Sequence, residues 1–216
     1  MCTDAREMYV SPGGSETSNC TEKAKCTLDR ALQLASGLNS TTIFASEGNH
    51  SLKTSHKFTR IASFALNGSR SRDDVQITCE PNVSLSFSLS EKITFEGVKF
   101  RKCAGWHRSS VGAKKNYPNM AGAKFKTALD FRYCRNLRMY NVEISSCPGL
   151  GANLYDVGGT VSFTNCSFTD NFISQERRLD GWEDVSGESG KYVYSDDAPT
   201  AVALSTHADG VLLWFS

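Results

Sequence analysis

The sequence predicts an all-β fold, a parallel β-helix solenoid closed at one end by a short N-terminal capping helix. Three observations carry this expectation. In "LRMYNVEISSC" the apolar residues fall at Leu137, Met139, Val142 and Ile144, a spacing of two, three and two. The same spacing recurs at Ile93, Phe95, Val98 and Phe100, and again at Val161, Phe163, Cys166 and Phe168. The residue before the third apolar position is Gly97, Asn141 or Asn165, and Gly and Asn enter the left-handed backbone region most cheaply. A strand alternates with period two and a helix with threes and fours, so each copy reads as strand, one-residue corner, strand.

The copies are 44 and then 24 residues apart. A unit of that size cannot bury its own apolar face and must stack on its neighbours. With no helical stretch inside the units, stacking in register gives coils about 4.8 Å apart. Inward positions then form columns, and Asn141 over Asn165 is placed to form an amide ladder. Counting back eight, six and four positions extends the inward set to Leu85, Phe87 and Leu89 in the first copy. It gives Leu129, Phe131 and Tyr133 in the second and Asn153, Tyr155 and Val157 in the third.

From the N-terminus, "CTLDRALQLASG" (26–37) puts Leu28, Ala31, Leu32 and Ala35 on one helical face, with Thr27 as N-cap and Gly37 as stop. Laid across the open end of a β-helix, that face would close it. "TTIFASEGNHSL" (41–52) follows as a β-rich run, so residues 1–52 read as cap and first coil and 53–171 as the remaining coils. The long spacing between the first two copies is explained by a loop inserted at 105–126, rich in Gly, Asn and basic residues. Residues 172–216 read as a polar loop and a terminal apolar strand, expected to be the cut edge of a longer solenoid. The final apolar run is too short to span a membrane.

The order "YVSPGG" (9–14), "TLDRAL" (27–32), "TIFASEGNHSL" (42–52), then "ITC", "FRKCAG", "ALDFRYCRNL" and "FTDN", resembles the right-handed parallel β-helix proteins of the pectin-lyase-like superfamily. It is most similar to extracellular β-helix proteins of early-branching animals, over about residues 8–171. Two departures stand out: Glu47-Gly48 replaces the usual Pro-Gly before the first-coil turn, and the coils of that family continue further. The resemblance implies a right-handed solenoid outside the cell. It also implies a carbohydrate-active enzyme, a polysaccharide lyase or hydrolase, as an alternative to a scaffold.

Compartment is addressed independently by sequons and cysteines. Of 12 asparagines, six sit in N-x-S/T sequons. Asn19, Asn39, Asn49, Asn67 and Asn82 are the expected glycosylation sites, whereas Asn165, turned into the ladder, is expected to be hidden. Among eight cysteines, Cys20 and Cys26 flank a short loop and can pair locally. Cys103 and Cys147 occupy equivalent positions in adjacent coils and can approach disulfide distance. Cys134 and Cys79 are further partners open to Cys103. Cys166 reads as a small buried hydrophobe. The start "MCTDAREM" lacks the apolar core of a signal peptide. A secreted chain or ectodomain is expected nonetheless, as a truncated piece of a longer protein. A degenerate fragment without independent function is the third alternative.

Catalytic chemistry has weak support in the residues. Glycoside hydrolysis needs two carboxyl groups about 5–9.5 Å apart. The adjacent pair Asp73-Asp74 reads as a solvated turn, and Asp130 and Asp156 occupy different coil positions. Glu143 is equivalent to Lys99, which suggests a charge pair between coils. His50, His56, His107 and His207 lack ligand spacing and read as surface residues. No cofactor and no metal is expected. The net charge of +1 argues against a nucleic-acid partner. Arg101, Lys102, Arg108, Lys114 and Lys115, beside Trp106 and Tyr117, form a candidate site for anionic glycans. The expectation is therefore a non-catalytic extracellular scaffold or recognition domain, with glycans or proteins as partners.

Overall fold

A computed structural model describes residues 5–103, 106–107, 124–125, 127–147, 150–169, 182–184, 192–194 and 201–204. The β-helix solenoid is present, and it begins earlier in the chain than the first readable repeat. Strands β1 (Arg6–Ser15), β2 (Ser40–Ala45), β5 (Ser63–Asn67), β8 (Lys92–Arg101), β12 (Arg135–Ser145) and β14 (Gly158–Thr164) pair in parallel, in that order. Their inward residues stack in register: Met8, Ile43, Leu66, Phe95 and Met139 make one fully buried column. Strands β8 and β12 run through the corners at Gly97 and Asn141, where φ is 62° and 55°. Beyond that corner β3 (Gly48–Leu52), β6 (Val75–Cys79) and β15 (Ser167–Thr169) complete the same sheet A.

Sheet B is built from β4 (His56–Thr59), β7 (Leu85–Ser88), β11 (Thr127–Arg132) and β13 (Leu150–Tyr155), again parallel. Phe58, Phe87 and Phe131 stack down its inner face, with ring centroids 4.8 and 5.5 Å apart and planes tilted by 14° in both pairs. Phe64 and Phe95 reach this stack from sheet A, so both sheets share one core. A fully buried Phe contributes about 1.5–3 kcal/mol, and the in-register stack therefore sets the register of the coils.

Helix α1 (Leu28–Ala35) lies at the N-terminal end as expected, with Leu28, Ala31, Leu32 and Ala35 buried. Thr27 Oγ1 accepts the Arg30 amide hydrogen at 3.3 Å. Asp29 anchors the helix to the next coil, accepting hydrogen bonds from the Lys53 and Thr54 amides at 2.6 and 3.2 Å. The base of the inserted loop is an antiparallel pair, β9 (Trp106–His107) with β10 (Lys124–Phe125). Two short strands, β16 (Trp182–Asp184) and β17 (Tyr192–Tyr194), pair with each other. β18 (Ala201–Leu204) pairs antiparallel with β13 at the end of the parallel run of sheet B.

The third repeat is out of step with the expectation, for a local reason. Ala152 and Leu154, not Asn153 and Tyr155, lie over Leu129 and Phe131. A bulge sits between Arg135/Gly158 and Leu137/Val161, adding one residue to β14 at Gly159, where φ is 73°. A β-bulge adds one residue to one strand, so counting backwards across it shifts every side chain to the other face.

Candidate functional site

Sheet B turns an alternating outer face to solvent. Its outward residues align as Lys57, Ser86, Asp130 and Asn153 in one row and Thr59, Ser88, Arg132 and Tyr155 in the next. Asp130 is held from two sides, by Arg132 Nε at 2.9 Å and by Asn153 Nδ2 at 2.7 Å. Thr59 and Ser88 hydroxyls pair at 3.0 Å.

The next residue in each coil forms a second corner, two of whose members, Leu89 and Tyr133, are expected inside. Arg60, Leu89, Tyr133 and Asp156 all have left-handed backbone, with φ of 57°, 53°, 56° and 49°. Backbone pairing between coils holds them there: Arg60 N–H donates to Ser88 O, Leu89 N–H to Arg132 O and Tyr133 N–H to Tyr155 O, at 2.9, 3.0 and 2.9 Å. Leu89 and Tyr133, expected inward, are instead 48% and 49% exposed. The inward position moves to the following residue, Ile61, Ser90 or Cys134. Phe87 to Ser90 and Phe131 to Cys134 are steps of three, so the interruption in spacing was present, disguised by a serine and a cysteine. Tyr155 stacks edge-on against Tyr133 at 5.3 Å, and its hydrogen bond to the Tyr133 phenol raises the pKa of that group above the usual tyrosine value.

The opposite border of this face carries the inserted loop, since β10 leads directly into β11. Of the candidate glycan-binding residues, Arg101 and Lys102 are exposed at the end of β8, just before the loop. Lys102 occupies a third left-handed corner, equivalent to Ser146, with φ of 57° and 55°. Arg108, Lys114 and Lys115 lie outside the described residues, as do Tyr117 and His207.

A different use of charge is seen on the outer face of sheet A. The segment from Gly68 to Asp74 crosses several coils as a strap. Arg72 approaches Glu143 at 3.6 Å and donates to the Asn165 carbonyl at 3.1 Å, while Lys99 contacts both Glu143 and Asp73, at 2.8 and 3.3 Å. The expected Lys99–Glu143 pair is thus part of a network, and Asp73 belongs to it. Asp74 accepts from the Ser69 hydroxyl at 2.9 Å. Under the strap the ladder runs from Asn165 Nδ2 to Asn141 Oδ1 at 2.9 Å and from Asn141 Nδ2 to the Arg70 carbonyl at 2.6 Å. Asn165 is nonetheless exposed rather than hidden, because its ladder contact lies on one side only, toward Asn141.

Several single-residue expectations change. His50 and His56 are buried, not at the surface. His56 Nε2 lies 3.0 Å from Asp29 Oδ1. His50 Nε2 donates to the Ser46 carbonyl at 2.7 Å, and burial holds its pKa below the usual histidine value despite that bond. Burial also pushes Asp29 upward, but hydrogen bonds from His56, Lys53 and Thr54 outweigh it and leave the carboxyl below its ordinary value. Cys166 is half-buried, its thiol 3.4 Å from the Met139 carbonyl.

Among the described residues, two disulfides join Cys20 to Cys26 and Cys79 to Cys103. Cys147 is not the partner of Cys103. Adjacent parallel strands β6 and β8 bring Cys79 to Cys103 with 4.7 Å between Cα atoms. Cys147, one coil further, remains a buried thiol 3.5 Å from the Ser145 carbonyl, with burial pushing its pKa to about 12. Disulfides fit an oxidising compartment. No helix among the described residues is long and apolar enough to cross a membrane. Among the sequons, Asn19, Asn39 and Asn49 are exposed, and Asn67 and Asn82 are half-buried. No group of three or more His, Cys, Asp or Glu suited to a metal occurs among the described residues.

Comparison with protein-family models, with curated proteins and with solved structures returned no match.

Proposed function

We propose that this chain is a non-catalytic extracellular recognition domain of the pectin-lyase-like β-helix type, which binds glycan or matrix partners on the outer face of sheet B. The observation that carries the reading is the Leu89–Tyr133 ridge. These are two of the three exposed large hydrophobics among the described residues, and they occupy adjacent positions in one corner column. Each is a bulky side chain in left-handed backbone, a conformation that costs about 1–2 kcal/mol and recurs at ligand-contacting positions. An exposed aromatic and aliphatic pair beside aligned carboxylate, guanidinium, amide and hydroxyl groups offers ring stacking and planar hydrogen bonding to a sugar chain.

Arg101 and Lys102 at the end of β8, with Arg108, Lys114 and Lys115 shortly after them in the sequence, add attraction for sulfated or carboxylated chains. The non-catalytic half of the reading is supported by three of the outward carboxylates. Asp73, Asp130 and Glu143 each lie within 3.3 Å of a lysine or arginine nitrogen, so their charge is engaged in ion pairs. Retention on a heparin column is expected to fall when Lys114 and Lys115 are changed to Ala. Unchanged retention would remove the basic border from the site. New reducing ends or unsaturated products from a polysaccharide panel would replace this reading with that of a carbohydrate-active enzyme.

A further inference from the structure

We propose that Asn39 carries an N-linked glycan and that Thr41 stands in the core because of its part in attaching it. The proposal rests on the extracellular half of the reading above and is independent of the recognition face. Thr41 is an inward residue of β2, in the column Thr41, Phe64, Ile93, Leu137 and Val161. It is 2% exposed, and its hydroxyl has no hydrogen-bond partner. Arg6 of β1 is its register partner on one side, and from Phe64 to Val161 the column on the other side is apolar; a valine has the shape of threonine without the hydroxyl. Burying an unpaired hydroxyl destabilises a fold, so packing alone favours Val at this position.

The sequon Asn39-Ser40-Thr41 accounts for the hydroxyl, because the acceptor motif requires Ser or Thr two residues after Asn. Asn39 itself is arranged to suit. Its Oδ1 accepts from the Ala62 amide at 3.0 Å, and its carbonyl accepts from the Ala62 and Ser63 amides at 2.8 and 3.2 Å. The residue is exposed, and these bonds use its oxygens and leave Nδ2, the atom to which the sugar is joined. Asn165 is the reverse case, since its Nδ2 is the ladder donor to Asn141.

In the reaction, Nδ2 displaces the lipid pyrophosphate from C1 of a lipid-linked oligosaccharide. The N–C1 bond forms, the C1–O bond breaks and leaves the pyrophosphate on the lipid, and Nδ2 gives up one proton. Because Thr41 is sealed in once β2 pairs with β1 and β5, the transfer at Asn39 precedes the folding of this coil. Asn49 provides the contrast: Asn49 and Ser51 project from one face of β3 and are both exposed, so that sequon stays open after folding.

The test is peptide mapping of the chain secreted from eukaryotic cells behind an added signal peptide, with enzymatic release that converts each occupied Asn to Asp. Asn39 is expected to be occupied in the wild type and in Thr41→Ser, and empty in Thr41→Val. After deglycosylation, the urea midpoint of Thr41→Val should equal or exceed that of the wild type. An empty Asn39 beside an occupied Asn49 would overturn the proposal. So would a lowered midpoint for Thr41→Val, which would show that the hydroxyl holds the fold. If both asparagines are empty, the proposal and the extracellular reading fail together, while binding to the sheet B face is scored separately by glycan affinity.

Discussion

The two principal corners of the solenoid reach the same left-handed backbone from opposite chemistries. At Gly97, Asn141 and Asn165 the residues themselves favour that conformation, and the asparagine amides bond from coil to coil and to the strap. At Arg60, Leu89 and Tyr133 they do not, and hydrogen bonds between the backbones of successive coils hold the turn. The first corner is intrinsic and is buried at Gly97 and Asn141 under residues 68–74; the second is imposed by its neighbours and open to solvent at Leu89 and Tyr133. A solenoid thus tolerates a poor corner residue where the stack on either side is good, and such a residue is free to serve another purpose.

The largest effect that would break this comparison is at Gly97. A Cβ there would fall on the Ser69 carbonyl oxygen, at a positive φ. Gly97→Ala should therefore lose about 3–4 kcal/mol of stability in urea melts, by combined strain and displacement of the strap. Asn141→Ala comes next: it removes the donor to Arg70 and the acceptor for Asn165, and a loss of about 1–3 kcal/mol is expected. At the other corner the sign should reverse. Leu89→Gly relieves left-handed strain on an exposed side chain, and the melt should show no loss or a gain of up to about 1 kcal/mol. A loss comparable to that of Gly97→Ala would mean that Leu89 packs as the sequence reading first supposed.

A smaller effect concerns the capped end, where His50 and Asp29 titrate. His50 is held below its ordinary value, so between the folded and unfolded values the unfolded chain binds more protons and stability rises with pH. That contribution is complete above the usual histidine value of about 6.5 and is lost as pH falls below it. Asp29 is lowered as well, so its contribution is present above the ordinary carboxylate value and is lost as pH falls through its folded value. Unfolding midpoints measured from pH 7 to 5 should decline in the wild type and decline less in His50→Leu. Equal slopes would place the proton uptake elsewhere.

What was legible in the sequence follows from this contrast. Gly and Asn announce a corner, so the first was readable together with the columns around Phe95, Met139 and Val142. The helix was readable because Thr27, Leu28, Ala31 and Leu32 obey cap and face rules that need no tertiary context. The second corner was masked because Leu89 and Tyr133 continue an apolar alternation while Ser90 and Cys134 take the inward places. The coil containing Phe64, Leu66, Val75 and Ile77 was missed because the strap separates its two halves. The Cys79–Cys103 bond was one of several allowed pairings, and only the stacking of β6 on β8 selects it. Histidine burial was invisible for a similar reason: His50 sits in an inward column whose other members, Ile77, Phe100, Ile144 and Phe168, come from later coils.

The central claim is that the imposed corner beside sheet B is a recognition surface. The direct measurement is the affinity of the folded, glycosylated chain for a panel of sulfated, carboxylated and neutral glycans, set against that of Leu89→Ser/Tyr133→Ser. The expected result is at least tenfold weaker binding in the variant, about 1.4 kcal/mol, with an unchanged or raised urea midpoint. Equal binding by both proteins to the same glycans, with both folded, would contradict it.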